Sequence, residues 1–212
     1  MPARPAIQPS DASPFQTSAA REALRLEKRD ALLRAAVRMF NERGFHATSL
    51  DDVAACLGVT KPVIYHYLGN KDQVLFACMR IGLDQLREAA EQCERIDDVG
   101  LERLKAFLRR YAEVMMEDFG RCVIRTPDEV LSPGARKEFR ALKAEIDGTM
   151  RRMIDAAIAD GSAVVRDVRL TAFTLAGALN WPARWHRPDG EMSAQQIAQD
   201  VVELLCSGLR PR

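Results

Sequence analysis

Two short helices joined by a tight turn are predicted within residues 48–67, and their spacing is that of a helix-turn-helix. Gly58 breaks the first helix, and the second begins with Lys61, Pro62 and Val63. Side chains at the start of such a helix can reach base edges, because the DNA major groove is about 12 Å wide and admits one α-helix. On spacing alone, an ordinary αα-hairpin explains the two helices equally well.

The residue types that carry catalysis or bind metals are sparse and scattered. Histidine occurs only at positions 46, 66 and 186, and the five cysteines show no CxxC spacing. The chain has no HExxH pair and no glycine-rich loop that follows a strand. We therefore expect no enzymatic activity, no cofactor and no metal. The odd, scattered cysteines, interpreted as small buried apolar residues, indicate reduced thiols in a cytoplasmic protein.

Helices must position all of these residues, because strand patterns are missing. Between Pro14 and Pro127 the only proline is Pro62, and the intervening sequence is rich in Ala, Leu, Arg and Glu, which favours helix. No segment shows sustained period-2 alternation of β-branched residues. The sequence therefore predicts an all-α chain of eight to ten helices.

The first helix is predicted over residues 21–42, with an apolar stripe formed by Leu26, Leu33, Val37 and Phe40. A near capping box at residues 49–52 opens the second helix, in which Val53, Ala54 and Leu57 should face inward. Residues 119–132 are irregular, with room for one short helix. The remaining helices are predicted from Thr60 to Gly69, over 71–95, 101–118, 134–160 and 168–185, and after a cap at Ser193.

Composition excludes two broad classes of protein. With 47% hydrophobic residues and a net charge of +1 over 212 residues, the chain is neither disordered nor a polycation. Residues 1–80 hold 11 basic and 8 acidic side chains, or +3, which leaves 20 and 22, or −2, for the remainder. No apolar run is long enough for a membrane span, so no membrane partner is expected. The proline-rich residues 1–20 are expected to form a disordered arm.

The segment from Ala31 to Leu75 resembles the TetR family of transcriptional regulators in order and spacing. The resemblance implies a three-helix DNA-binding head over residues 21–70 and a larger helical body over 71–212 that binds a ligand and dimerises. It is carried by Gly44-Phe45, Thr48-Ser49-Leu50-Asp51-Asp52-Val53-Ala54, Leu57-Gly58-Val59-Thr60-Lys61 and Tyr65-His66-Tyr67-Leu68-Gly69-Asn70-Lys71.

The same resemblance implies the DNA contacts. Two hydroxyl residues before the supporting helix and the lysine that opens the next helix match phosphate-contacting positions. The first three residues of the recognition helix match base-reading positions, and the Tyr-His-Tyr run divides between core packing and phosphate contact. The implied set is Thr48, Ser49, Lys61, Pro62, Val63, Tyr65, His66, Tyr67 and Lys71.

Three positions depart from the family pattern, which bears on base readout. Pro62 stands where glycine is frequent, Tyr67 where histidine is common, and Leu68 where phenylalanine is common. The ring of Tyr65 could either pack in the core or face outward.

An apolar cavity is expected in the body, since methionines and aromatic residues recur there and methionine suits adaptable pockets. Plain core packing would explain each of these residues as well. The candidates are Met115, Met116, Phe119, Val123, Met150, Phe173, Trp181 and Trp185. The segment 178–190 and the preceding long helix are also similar to regulators whose ligands are acyl-coenzyme A thioesters.

A homodimer through the last two helices is expected, with apolar area from Leu170, Leu175, Leu179, Ile197, Val201, Leu204 and Leu205. Such a dimer predicts a palindromic operator. The resulting hypothesis is a repressor that a small hydrophobic effector, such as an acyl-coenzyme A thioester, releases from DNA. The alternatives are a regulator of an efflux or stress gene that responds to an aromatic or cationic drug-like compound, and a small helical enzyme or interaction module.

Overall fold

The computed structural model describes residues 18–207, and every regular element in that part of the chain is helical, which confirms the all-α prediction. A single turn of 3-10 helix lies at Asp128–Val130. The α-helices are α1 (Ser18–Arg43), α2 (Leu50–Cys56), α3 (Lys61–Leu68), α4 (Lys71–Glu94), α5 (Gly100–Met116), α6 (Asp118–Arg125), α7 (Pro133–Ala159), α8 (Val168–Asn180), α9 (Pro182–Trp185) and α10 (Ala194–Cys206).

Three boundaries differ from the sequence prediction. Helix α1 begins at Ser18, within the segment assigned to the arm; the rest of that arm, residues 1–17, lies outside the described residues. Helix α6 is the short helix for which residues 119–132 had room, but it begins at Asp118, one residue before that stretch. The helix predicted over 168–185 is divided into α8 and α9, because Pro182 has no N–H to donate and instead begins a new helix.

Helices α1, α2 and α3 pack into a small head around Leu33, Val37 and Ile64, which are fully buried. Leu26 and Leu57 were expected in this core, and that expectation is wrong because both are exposed. The first turns of α1 are exposed, so no partner covers Leu26. Leu57 follows α2 as its C-cap and does not take part in the helix's buried face.

Helix α5 lies at the centre of the body, between α4, α7 and α10. Two glycines permit unusually close approaches of its ends to neighbouring backbone. A Cβ on Gly100 would lie 2.5 Å from the Cα of Ala157 in α7, and one on Gly120 would lie 1.9 Å from the carbonyl oxygen of Val114. At these two contacts the backbones are so close that no residue larger than glycine fits.

The last helices bury part of the surface expected to form the dimer. Helix α8 packs on α7 and α10 packs on α5, so Leu175, Leu179 and Ile197 lie in the core of the single chain. Leu170 and Leu204 remain exposed. The prediction that all seven apolar residues face a second copy is wrong for the three buried ones.

Four of the five cysteines are buried, as the sequence indicated, and Cys56 is exposed. Burial raises the pKa of the Cys122 thiol to about 12. Within residues 18–207, none of the helices combines the length and apolar character that a bilayer crossing requires.

Candidate nucleic-acid interface and ligand cavity

A capping box fixes the start of α2. The backbone N–H of Asp52 donates to Ser49 Oγ at 3.1 Å, while the N–H and hydroxyl of Ser49 donate to the Asp52 carboxylate at 3.0 and 2.7 Å. These bonds lower the pKa of Asp52. The predicted cap is confirmed. The N–H and hydroxyl of Ser49, a residue for which the family resemblance implies a phosphate contact, donate to Asp52 instead.

Thr48 lies beneath the surface instead of on it. Its side chain is 1% exposed, and its hydroxyl lies 2.9 Å from the carbonyl oxygen of Gly44 and 3.2 Å from that of Met39. In this arrangement the hydroxyl holds the loop between α1 and α2. Thr48 therefore has no exposed hydroxyl with which to make the implied phosphate contact.

Helix α3 presents one exposed face while Ile64 and Leu68 anchor the opposite face in the head. The exposed face carries Lys61, Pro62, Tyr65 and His66, with Val63 and Tyr67 half-buried at its edges. Tyr65 is 52% exposed, so its ring is not part of the core. The structure thus brings most of the implied base-reading and phosphate-contacting residues to one surface.

Lys61, the first residue of α3, makes an ion pair with Asp51 of α2. The hydrogen bond to Asp51 and the charge of that carboxylate raise the pKa of Lys61. Sequence reasoning missed Asp51, because nothing local indicates that the two residues face each other across the turn.

Lys71 opens α4 beside the loop between α1 and α2. Its Nζ lies 4.3 Å from the ring centroid of Phe45 and donates to the carbonyl oxygen of His46 at 3.4 Å. The cap of α4 is a second capping box, formed by Asn70 and Gln73. No ion pair of Lys71 occurs in the part of the chain that the structure describes, so its positive charge is uncompensated and available to a phosphate.

Lys71→Met should weaken binding to any DNA duplex about tenfold near 0.1 M salt and reduce the salt slope by about 0.9, because one phosphate contact is lost. Fluorescence anisotropy at several salt concentrations measures both. Lys137→Met removes the same charge from an exposed position in α7 and serves as the control. An equal change of slope in both variants would assign the effect to net charge and not to Lys71.

A cavity of about 230 Å³ lies between α4, α5, α6, α7 and α8. Four of the predicted ligand residues line it: Met115, Val123, Met150 and Phe173. Of the others, Met116 and Phe119 are buried but do not line it, and Trp181 borders an adjoining groove of about 390 Å³. Trp185 lines neither the cavity nor the groove.

Polar groups that the sequence analysis missed lie at the junction of cavity and groove. The Tyr111 hydroxyl donates to Asn180 Oδ1 at 3.1 Å, and burial raises the pKa of Tyr111 to about 12. Asn180 and Lys143 line both spaces. A polar residue at the end of the apolar α8 was the available signal for Asn180.

Two cations line the groove beyond this junction, and the carboxylate of Asp128 interacts electrostatically with one of them, Lys143. Lys143 Nζ lies 4.9 Å from the ring centroid of Phe139, and Arg184 donates to the carbonyl oxygen of Ile124 at 3.4 Å; neither makes an ion pair within residues 18–207. The groove's carboxylate, Asp128, accepts from Arg140 at 2.7 Å. The cavity therefore suits an apolar group, and the groove suits an anionic one.

Helix α6 connects the cavity to the head. Asn41 at the end of α1 donates to the carbonyl oxygen of Asp118 at 2.8 Å. Arg125 donates to the carbonyl oxygens of Asn41 at 3.2 Å and of Arg184 at 3.0 Å. Val123 lies on the same helix and lines the cavity, so α6 borders the cavity and contacts the end of α1.

Known proteins resemble the chain along most of its length. Residues 32–78 match the family described as bacterial regulatory proteins, tetR family, and residues 97–209 match the one described as tetracyclin repressor-like, C-terminal domain. The transcriptional repressor KstR2 of Mycolicibacterium smegmatis is 26% identical over 197 residues, which cover 86% of this chain and 90% of KstR2. The transcriptional activator FasR of the same organism is 26% identical over 185 residues, which cover 86% and 83%. AibR, solved with isovaleryl coenzyme A and operator DNA, is 28% identical with a TM-score of 0.72 and coverage of 83% and 96%.

Proposed function

Because this chain belongs to the TetR family of transcriptional regulators, we propose that it is a repressor which leaves a palindromic operator when an acyl-coenzyme A thioester binds its body. It is a DNA-binding regulator and not an enzyme, as its relatives and its fold are those of such regulators. The observation that carries the choice of ligand is the apolar cavity that continues into a groove lined by two cations, neither of which makes an ion pair within residues 18–207.

A second copy of the chain is proposed to pack against α8 and α10. Leu170, Phe173 and Gly177 follow one another at spacings of three and four, so they form a single stripe on α8, and all three are exposed. Phe173 also lines the cavity and Gly177 the groove, so the second copy would border the ligand site. No atom lies within 4 Å of a Cβ placed on Gly177, which leaves room for close approach of another helix. Leu204 of α10, the neighbouring helix, is 75% exposed. Two-fold pairing would cover this apolar surface and set the distance between two heads.

The size of the cavity supports a ligand with two unlike parts. At about 230 Å³ it is smaller than the usual 300–1,000 Å³ of small-molecule sites, so only one part of a larger ligand fits inside. An acyl chain matches the apolar walls, and a phosphate-bearing carrier matches Lys143 and Arg184 in the groove. A cationic drug-like compound would meet repulsion from the same two side chains, and Asp147 at the cavity wall is already paired with Arg151 at 2.5 Å.

The repressor hypothesis is tested with DNA from the chain's own promoter. The protein is first bound to the fluorescent duplex, and isovaleryl coenzyme A, octanoyl coenzyme A, free coenzyme A and free octanoate are then titrated separately. We expect release by a thioester at concentrations where neither coenzyme A nor octanoate acts. Release by an aromatic cation that does not intercalate into DNA, such as tetraphenylphosphonium, with no response to thioesters, would contradict the proposed ligand class.

Replacing both groove cations, as Lys143→Gln with Arg184→Gln, should weaken the response to the thioester at least tenfold, because hydrogen bonds to charged groups contribute about 1.5–3 kcal/mol each. Affinity for DNA should be unchanged, since neither residue lies in the head. Arg187→Gln is the matched control, because Arg187 is exposed on the following turn and pairs with Asp189 at 3.1 Å. An undiminished thioester response in the double variant would remove the groove from the ligand site.

A further inference from the structure

One ion pair sits on the surface that the proposed operator would meet. Lys61 begins the recognition helix α3 with 66% of its side chain exposed, and its partner Asp51 in α2 is 42% exposed. Asp51 is not needed for the cap of α2, because the neighbouring Asp52 makes both capping bonds with Ser49. The head therefore keeps a second carboxylate at this surface without a capping role for it.

The pair changes what Lys61 can offer to DNA. A lysine ammonium has three N–H donors and no acceptor, so Asp51 engages one of them and leaves two. Non-specific affinity comes from cations that displace counterions at phosphates, whereas a lysine neutralised by a carboxylate displaces few. Base edges act differently, because the O6 and N7 atoms of guanine in the major groove can accept from the two remaining N–H groups.

The orientation of the pair agrees with this division. Asp51 lies in the first turn of α2 and its carboxylate reaches the ammonium of Lys61 at the start of α3, so the pair bridges the two helices on their exposed side. Tyr65 lies one turn further along α3, on the same exposed face as Lys61. Lys71 provides the contrast, because no carboxylate within residues 18–207 pairs with it, and it lies beside the loop between α1 and α2.

We propose that Asp51 is a specificity-determining residue, which withholds the charge of Lys61 from phosphates and directs its ammonium to base edges. This inference rests on the proposed function, since it assumes that α3 enters the major groove. It assigns opposite effects to the two members of one ion pair. Asp51 lowers affinity for random DNA, and Lys61 raises affinity for the chosen sequence.

The test compares chosen with random DNA and needs no known operator. Wild-type protein selects a motif from a pool of randomised duplexes, and affinities for that motif and for a scrambled duplex are then measured at several salt concentrations. We expect Asp51→Asn to bind the scrambled duplex roughly fivefold to tenfold more tightly near 0.1 M salt, with a salt slope steeper by about 0.9. The motif should gain less, so the ratio of the two affinities falls by about threefold or more.

Two further variants identify the cause. Glu42→Gln removes a negative charge from an exposed position elsewhere in the head, and it should leave the ratio unchanged. In a Lys61→Met background, Asp51→Asn should no longer alter the ratio, because the side chain through which Asp51 acts is missing. Asparagine is nearly isosteric with aspartate, and matching thermal unfolding curves establish that the heads remain folded.

The outcomes separate this inference from the proposed function. If the wild-type protein selects no motif, both fail. If it selects a motif but Asp51→Asn shifts both duplexes equally, or if the change of ratio persists without Lys61, the regulator stands and the role of Asp51 is overturned.

Discussion

Replacing Leu204 with glutamate is expected to separate the proposed dimer and to lower affinity for a palindromic operator about a hundredfold or more. Leu204 is the most exposed large apolar side chain in the described part of the chain. In a two-fold dimer the substitution is present in both copies, so two negative charges would be buried at the interface. Once the heads are unlinked, the gain of about 10²–10⁴ from binding two half-sites together is lost. Sedimentation velocity gives the mass, and fluorescence anisotropy gives the affinity.

A half-site duplex and a second variant make this result specific. Affinity for a single half-site should be unchanged, because Leu204 lies in α10 and contributes nothing to the head. Ile96→Glu places the same charge at an exposed apolar position between α4 and α5, outside helices α8 and α10, and should leave the dimer intact. A Leu204→Glu protein that sediments as a dimer would place the interface on another face.

Gly100→Ala is expected to lower the free energy of unfolding by about 3 kcal/mol, because overpacked helix contacts relax only by moving backbone. The added methyl would lie 2.5 Å from the Cα and 2.6 Å from the N of Ala157, so α5 and α7 must separate at this point. For a chain of this size the midpoint of thermal unfolding should fall by about 6–12 °C. Differential scanning calorimetry measures both quantities.

Gly134→Ala is the matched control for that experiment. Gly134 lies in α7, and a Cβ there has no neighbour within 4 Å. Alanine at such a position should be neutral or slightly stabilising, because it has the higher helix propensity. Equal loss of stability in both variants would show that the close approach of α5 to α7 carries no special cost.

The head could be predicted from the sequence almost residue by residue, because its signals are local. Ser49 and Asp52 cap α2 from three residues apart, and Gly58 and Gly69 end the two short helices with positive φ of 64° and 74°. Each of these interactions is complete within a few residues of chain. Whether a side chain is buried depends, however, on residues further away in the chain, and this is why the burial of Thr48 could not be predicted.

The sequence predicts that the body holds an apolar cavity but not which residues line it, because the walls come from five helices that are separated along the chain. Met115 lines it and the adjacent Met116 does not, although nothing in their types distinguishes them. Tyr111 and Asn180, which meet at its polar end, are 69 residues apart. Their pairing depends on how α5 and α8 cross, and no periodicity in either helix encodes that crossing.

Helix α4 has a mechanical consequence, because it runs unbroken from Lys71 to Glu94. Its 24 residues span about 36 Å, and the cavity residue Leu83 lies roughly 18 Å from Lys71 along the axis. A tilt of about 5° around Leu83 would displace the start of the helix by about 1.6 Å, which is enough to break a hydrogen bond to phosphate. Under the proposed function, the helix would act as a lever arm whose pivot lies at the cavity wall. A ligand would then need to shift that wall by only a fraction of the distance that the two heads must move to lose their fit to successive major grooves.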